Sequence, residues 1–232
     1  MEITTHTIVK NEEKWIKQVL LSVIKHVDTM LVWDTGSTDK TVNIIKSINS
    51  PKIKFSQPGS VNRKQLVELR NQQIKQTSTP WFLILDGDEI WPEKNLVQII
   101  KAIKNAKPQT IALVNKTRNC IGDINHYLPE SKGHYQIGSW QGHLNIRAIK
   151  NTKGLKVTGE YPLEVYTLNN QPLQDQPENL EFVDTWYLHT THLKRSGWLN
   201  QLNAIDRLKK FKAFGKRLKL NPQDLQGLSL KA

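Results

Sequence analysis

Cysteine is almost missing from this 232-residue chain. Cys120 stands alone, so no disulfide can close within the chain, and neither a cysteine zinc cage nor a cysteine-ligated iron–sulfur cluster can form. Long apolar runs are missing too. The longest strongly apolar stretch, Trp81 to Leu85, falls far short of the roughly 20 residues that span a bilayer. Met1 to Lys10 lacks the basic-then-apolar order of a secretion signal, and a cytoplasmic protein is expected. Acids are in deficit: 33 Lys and Arg face 21 Asp and Glu, a formal net charge of +12. That raises a nucleic-acid-binding module as a function class. The distribution argues against it, because nine basic residues fall between Lys194 and Lys219 against one acid, Asp206, while the rest mix with acids as on a solvated surface. Zinc-finger, RNA-recognition and zipper spacings are absent. An apolar content of 38% with 23% charged residues is that of a folded globular domain rather than a disordered chain.

What is present alternates. Ile3 to Val9 reads as a strand, and Asn11 is placed to cap a helix whose first turn carries Glu12 and Glu13. Trp15, Ile16, Val19, Leu20, Val23 and Ile24 give that helix one apolar face. Thr29 to Trp33 is a second strand, Ser37 or Thr38 caps a helix carrying Val42, Ile44, Ile45 and Ile48, and Lys52 to Phe55 is a third strand. A helix over 62–76 follows. Trp81 to Leu85 is apolar without interruption, the mark of a strand covered on both faces. This order predicts an α/β fold with a doubly wound, mostly parallel sheet. After Thr110, β-rich stretches at Thr110 to Lys116, Tyr135 to Ile149 and Leu155 to Val157 predict antiparallel additions. Leu168 to Leu180 reads as a surface loop or lid. Trp198, Leu202, Ile205, Leu208, Phe211 and Phe214 step through a basic helix, which would serve as core, as a subunit interface or as a peripheral contact with an anionic membrane. Residues 221–232 read as a frayed tail.

In an open α/β sheet, ligands sit beyond the carboxyl ends of the strands. Three polar clusters fall there: Lys10-Asn11-Glu12, Asp34 to Asp39, and Asp86-Gly87-Asp88-Glu89. Three carboxylates after one apolar strand repel one another unless something compensates them, and a divalent metal reached by Asp86 and Asp88 across Gly87 is the simplest candidate. Gly87 would let a ligand approach closely. Asp34-Thr35-Gly36-Ser37 has the letters of an aspartic-protease loop, but that chemistry needs an all-β setting and a second Asp, whereas Thr38-Asp39-Lys40-Thr41 leads here into a helix.

Val9-Lys10-Asn11-Glu12-Glu13, Val27-Asp28, Val32 through Thr41, Arg70-Asn71 and Leu85-Asp86-Gly87-Asp88-Glu89, in this order, resemble a family 2 glycosyltransferase of the small bacterial type with the GT-A fold. The resemblance implies one domain over residues 1–220, with 1–118 as the nucleotide-sugar-binding half and 119–220 as the acceptor half with its C-terminal helix. It implies a nucleoside diphosphate sugar donor, usually with UDP, and a saccharide, lipid-linked or protein acceptor. By position, Val9 and Glu12 would flank the base, Asp34 would accept a hydrogen bond from it, and Arg70 would lie beside the nucleotide. Asp86 would contact ribose or metal, and Asp88 would hold Mn²⁺ or Mg²⁺ against the diphosphate.

Inversion at the sugar needs a general base. Related enzymes carry a Gly and then a His-Glu pair after an Arg-x-x-x-Asn strand; here Arg147, Asn151 and Gly159 match, but the pair reads Leu163-Glu164. Glu164 is the candidate base, with Glu160 and Asp123 as rivals. In Tyr187 to His192, His192 is preferred over His189 as a metal ligand. Trp140 is either a sugar-stacking wall or core. A nucleotide-sugar-binding protein without transfer is the alternative within the same fold.

Overall fold

The computed structural model of the chain describes residues 2–193, 217–226 and 228. In chain order the first half comprises β1 (Ile3–Val9), α1 (Ile16–Val23), β2 (Thr29–Asp34), α2 (Thr41–Ser47), β3 (Ile53–Ser56), α3 (Arg63–Gln76), β4 (Trp81–Ile84), β5 (Glu89–Ile90) and α4 (Glu93–Asn105). Then come β6 (Ala112–Ile121), β7 (Asp123–Tyr127), β8 (Tyr135–Ile137), β9 (Trp140–Gly142), β10 (Leu144–Lys150), β11 (Leu155–Thr158), β12 (Val165–Leu168), β13 (Gln171–Pro172), β14 (Leu180–His189) and β15 (Leu218–Lys219). The main sheet runs β15-β7-β6-β10-β4-β1-β2-β3, with β14 joining β6 to β5. Strands β1 to β4 pair in parallel, β10 enters antiparallel between β4 and β6, and β14 runs parallel to β6.

The unbroken apolar character of β4 has a direct cause. Trp81, Leu83 and Leu85 enter one core with Ile16, Val19, Leu20 and Val23 of α1 and Leu96, Ile99 and Ile103 of α4. Phe82 and Ile84, pointing the other way, enter a second core with Val67 and Ile74 of α3 and Leu155 and Val157 of β11. Helix α4 escapes the reading of the sequence, although Leu96, Ile99 and Ile103 carry its period as cleanly as any.

Several local expectations are corrected. Asn11 does not cap α1: with φ at 58° it turns the chain, donates its N–H to Ser37 Oγ (2.8 Å) and accepts from Thr38 N (2.8 Å). Its amide ties the loop after β1 to the loop after β2, and α1 begins only at Ile16. Helix α2 likewise starts after Ser37 and Thr38, with Asp39 Oδ1 accepting from Thr41 N (2.9 Å). Helix α3 lies where the sequence places it and is closed by a capping box, Asn62 and Gln65 each bonding the other's backbone N–H at 2.9 Å. The 168–180 segment is no open lid, since Leu173 is buried in the second core. The start of the tail is anchored: Leu220 is buried, and Asp224 pairs with Lys94 of α4 and with Arg118 of β6. The basic helix expected between Trp198 and Phe214 lies outside the described residues. Among the described residues, no helix is long and apolar enough to cross a membrane.

Candidate active site

Past β4 the chain still follows β1, Leu85 N donating to His6 O (2.9 Å), and then turns so that Glu89 N reaches Asp86 O (3.1 Å). Strand β14 closes this turn from outside. It pairs His189 with Glu89, and Thr190 N donates to Asp88 O (2.9 Å). Gly87 is a glycine because its neighbours leave no room: a Cβ there would lie 2.9 Å from Val9 Cγ2 and 3.0 Å from Glu12 Cγ. Gly87 also borders the smaller of two clefts in this region. Gly87→Ala should push Val9 and Glu12 aside at a cost of about 1–3 kcal/mol, read as a lower midpoint in urea unfolding; an unchanged midpoint would contradict the crowding.

Arginines face two of the three carboxylates, Asp86 and Glu89. Asp86 takes Arg70 Nη2 at 3.5 Å on one oxygen and Arg147 Nη2 at 3.2 Å on the other. Burial alone would raise the Asp86 carboxyl, but Arg147 and then Arg70 outweigh it and hold the group below the usual carboxylate range. Glu89 is 0% exposed and is bonded by the same Arg147 Nη2. Burial still pushes its carboxyl up to about 7 against the opposing pull of Arg147. Arg147 is itself held by Tyr187, whose hydroxyl accepts from Arg147 Nε (3.2 Å) and from Asn145 Nδ2 (2.7 Å). Asp88 has a different partner, His189, with Nε2 at 3.2 Å from Oδ2.

Two clefts meet at the Arg70–Asp86 pair, which lines both. The smaller, about 350 Å³, is bounded by Val9, Glu12, Thr35, Gly87, Asp88 and His189. The larger, about 570 Å³, lies over β8, β10 and β12 and is bounded by Tyr135, Asn145, Arg147, Leu163, Glu164 and Tyr166. The Glu164 side chain is 11% exposed, with Oε1 at 3.4 Å from Arg70 Nε. Its Oε2 is buried with no hydrogen-bond partner among the described residues.

The structure thus brings Val9, Glu12, Arg70, Asp86 and Asp88 to one cleft and Glu164 to the other. Asp34 is not among the lining residues; its carboxylate accepts from Gly36 N (3.1 Å), Ser37 N (3.0 Å) and Ser37 Oγ. It builds the turn, and its neighbour Thr35 faces the cleft instead. His192 does not line the cleft, whereas His189 and Thr191 do. Glu160 is exposed, and Asp123 is bonded to His126 in the β6–β7 hairpin (2.8 Å). Trp140 stacks on Phe182 with ring centroids 5.5 Å apart. Asn151 is structural, its Nδ2 donating to Thr77 O at 2.8 Å. Glu89 and Arg147 as a buried pair, and Asn119 behind His189, are the residues that reading the sequence missed; no spacing signals partners so far apart.

A mixed, mostly parallel sheet with helices on both faces and an acidic turn beyond its central strand defines a protein of the GT-A fold. The chain belongs to glycosyl transferase family 2, whose family model matches residues 4–162. It is similar to the SPbeta prophage-derived glycosyltransferase SunS of Bacillus subtilis (strain 168), 29% identical over 133 residues, 57% of this chain and 28% of that one. It is also similar to the uncharacterized glycosyltransferase RT0209 of Rickettsia typhi, 34% identical over 88 residues, 38% of this chain and 28% of that one. The chain therefore spans 28% of the length of these curated relatives. Among solved structures, S. aureus TarS 1–349 in complex with UDP-GlcNAc matches with a TM-score of 0.58 at 16% identity, over 100% of this chain and 68% of that one. Glucosyl-3-phosphoglycerate synthase from Mycobacterium tuberculosis, in complex with Mn²⁺, UDP and glucosyl-3-phosphoglycerate, matches with a TM-score of 0.52 at 14% identity, over 92% and 78%. At such identities these two structures share the fold.

Proposed function

We propose that this glycosyltransferase moves a sugar from a UDP-sugar to an acceptor hydroxyl with inversion, the donor in the smaller cleft and the acceptor in the larger. The observation that carries this reading is the meeting of the two clefts at Arg70 and Asp86, with Glu164 lining the larger one. Glu164 takes the proton of the attacking hydroxyl, whose oxygen bonds the anomeric carbon as the bond to the diphosphate oxygen breaks. Val9, Glu12 and Thr35 line the nucleotide end, with Asp34 behind Thr35 bonding the turn. Arg70 orients Glu164 through Nε while its Nη2 reaches Asp86. The complexes of the structural neighbours with UDP, with UDP-GlcNAc and with Mn²⁺ and UDP support the choice of donor.

The chain's residues fit a divalent cation. Asp88 and His189 present a carboxylate and an imidazole side by side at the edge of the donor cleft, a pairing that suits Mn²⁺ better than Mg²⁺. Among the described residues, no three His, Cys, Asp or Glu side chains gather to hold an ion alone, so this pair would share it with the diphosphate and water. When bound, the ion supplies positive charge to the departing diphosphate. UDP is expected to raise the melting temperature strongly only when Mn²⁺ is added, a ligand at 100 times its Kd contributing about 2.7 kcal/mol. Asp88→Asn and His189→Ala should remove the metal-dependent part of the shift, and His192→Ala should keep it. A shift that survives Asp88→Asn overturns the metal assignment.

A further inference from the structure

Asn119 stands in β6 opposite His189 of β14, the two being register partners in the parallel pairing of these strands. Its amide is used at both ends. Oδ1 lies 3.2 Å from His189 Nδ1, and Nδ2 lies 3.1 Å from His143 Nδ1. An amide oxygen only accepts and an amide nitrogen only donates. His143 Nδ1 must therefore offer a lone pair, and His189 Nδ1 must carry a proton. Burial holds the His143 imidazole below its ordinary value, in keeping with a neutral ring that accepts. The consequence falls on the far side of His189, where Nε2 lies 3.2 Å from Asp88 Oδ2: burial lowers the imidazole but Asp88 outweighs it and raises it, so the charged ring meets Asn119 through Nδ1–H and Asp88 through Nε2–H, and in the neutral ring, with Nδ1–H held, Nε2 bears the lone pair. With the amide reversed, Nε2 would carry the hydrogen, donate it to Asp88 and be closed to any cation.

We propose that Asn119, braced by His143, is a positioning residue that keeps His189 in the Nδ1-protonated form, so that the Nε2 lone pair is presented beside Asp88. The inference deepens the reading of Asp88 and His189 as the metal-holding pair and rests on it. An outer partner of this kind sets both the orientation and the tautomer of a ligating imidazole, and its removal typically lowers metal affinity about 10–100-fold. Both partners come from the β-rich half of the chain, Asn119 from β6 and His143 from the link between β9 and β10.

Two measurements on the full chain test it. In the first, two-bond proton–nitrogen correlation spectra of the histidine-labelled, metal-free protein, recorded where the imidazoles are neutral, report the tautomer of each ring. Wild-type His189 should be the Nδ1–H form, and Asn119→Leu, close in size but without hydrogen bonds, should lose that preference. An Nε2–H ring in the wild type overturns the proposal, whether or not any variant folds. In the second, Mn²⁺ is titrated and the free ion followed by electron paramagnetic resonance. Asn119→Leu should weaken binding about 10–100-fold. Asn119→Asp, which still accepts from His189 Nδ1–H, should keep it. If Asp88→Asn and His189→Ala lose Mn²⁺ while Asn119→Leu binds as wild type, the positioning role is wrong. If Asp88→Asn and His189→Ala bind as wild type, the metal reading itself falls, and the tautomer spectrum still decides what Asn119 does to the ring.

Discussion

Glu164→Gln is expected to lower the rate of sugar transfer by roughly 10²–10⁴, the range a positioned general base supplies, while UDP binds as before. The substitution is chosen to keep the shape of the site. A Gln keeps the size of the side chain beside Arg70, whose Nε lies 3.4 Å from Glu164 Oε1. The atom replaced is then Oε2, the buried oxygen without a hydrogen-bond partner among the described residues, and an amide nitrogen there has no lone pair to take a proton. Donor affinity should hold because Glu164 does not line the nucleotide cleft. Product formation at saturating donor, set beside calorimetric UDP binding, separates the two effects. Turnover within about twofold of wild type, where a base is worth at least 10², would remove Glu164 from the chemistry. The rivals are poorly placed to inherit the role, Glu160 being exposed outside both clefts and Asp123 already bonded to His126.

The largest stability loss should follow Arg147→Met. Arg147 reaches Asp86 and the fully buried Glu89 through one nitrogen, and a methionine fills much of the same volume while leaving both acids without that partner. Breaking a buried pair by removing one member typically costs about 3–5 kcal/mol, because the remaining charge stays buried. Asp86 keeps Arg70; Glu89 loses its cation, so Glu89 should carry most of the penalty. The double variant Arg147→Met/Glu89→Gln should accordingly recover part of the loss in urea unfolding. A double variant no more stable than the single one would mean that lost packing against Tyr187, rather than the uncompensated carboxylate, sets the cost. Within the acidic turn the arginines serve as counter-charges to Asp86 and Glu89, whereas Asp88 meets His189.

Glycosyl transferase family 2 membership, the strand–helix alternation and the acidic turn were readable because each is written locally. An apolar run such as Trp81 to Leu85 reports burial on two faces because it is unbroken. Asn11 shows the limit of such reasoning. Its neighbours read as a helix start, yet its backbone N–H donates to Ser37 Oγ and its side-chain oxygen accepts from Thr38 N across the strand ends, contacts separated by 26 and 27 positions. Asp34 shows the same limit: the motif identifies the loop, while the donors its carboxylate meets, Gly36 N, Ser37 N and Ser37 Oγ, are set by how the turn folds back on it.

What the sequence by itself determined is the order of elements, the two-faced burial of β4 and the presence of carboxylates where that strand ends. Only the tertiary structure decided how those carboxylates are balanced and where they point. Arg147 and Glu89 are 58 positions apart, and Arg147 meets the acidic turn because β10 inserts antiparallel beside β4. Likewise His189, rather than His192, reaches Asp88 because β14 pairs with β5 in a register that sets His189 opposite Glu89. Neither pairing leaves a period in the chain. Local periodicity reflects which face of one element is buried, whereas strand order and register are chosen by the packing of whole elements against one another, and it is register that selects the side chains sharing a cleft.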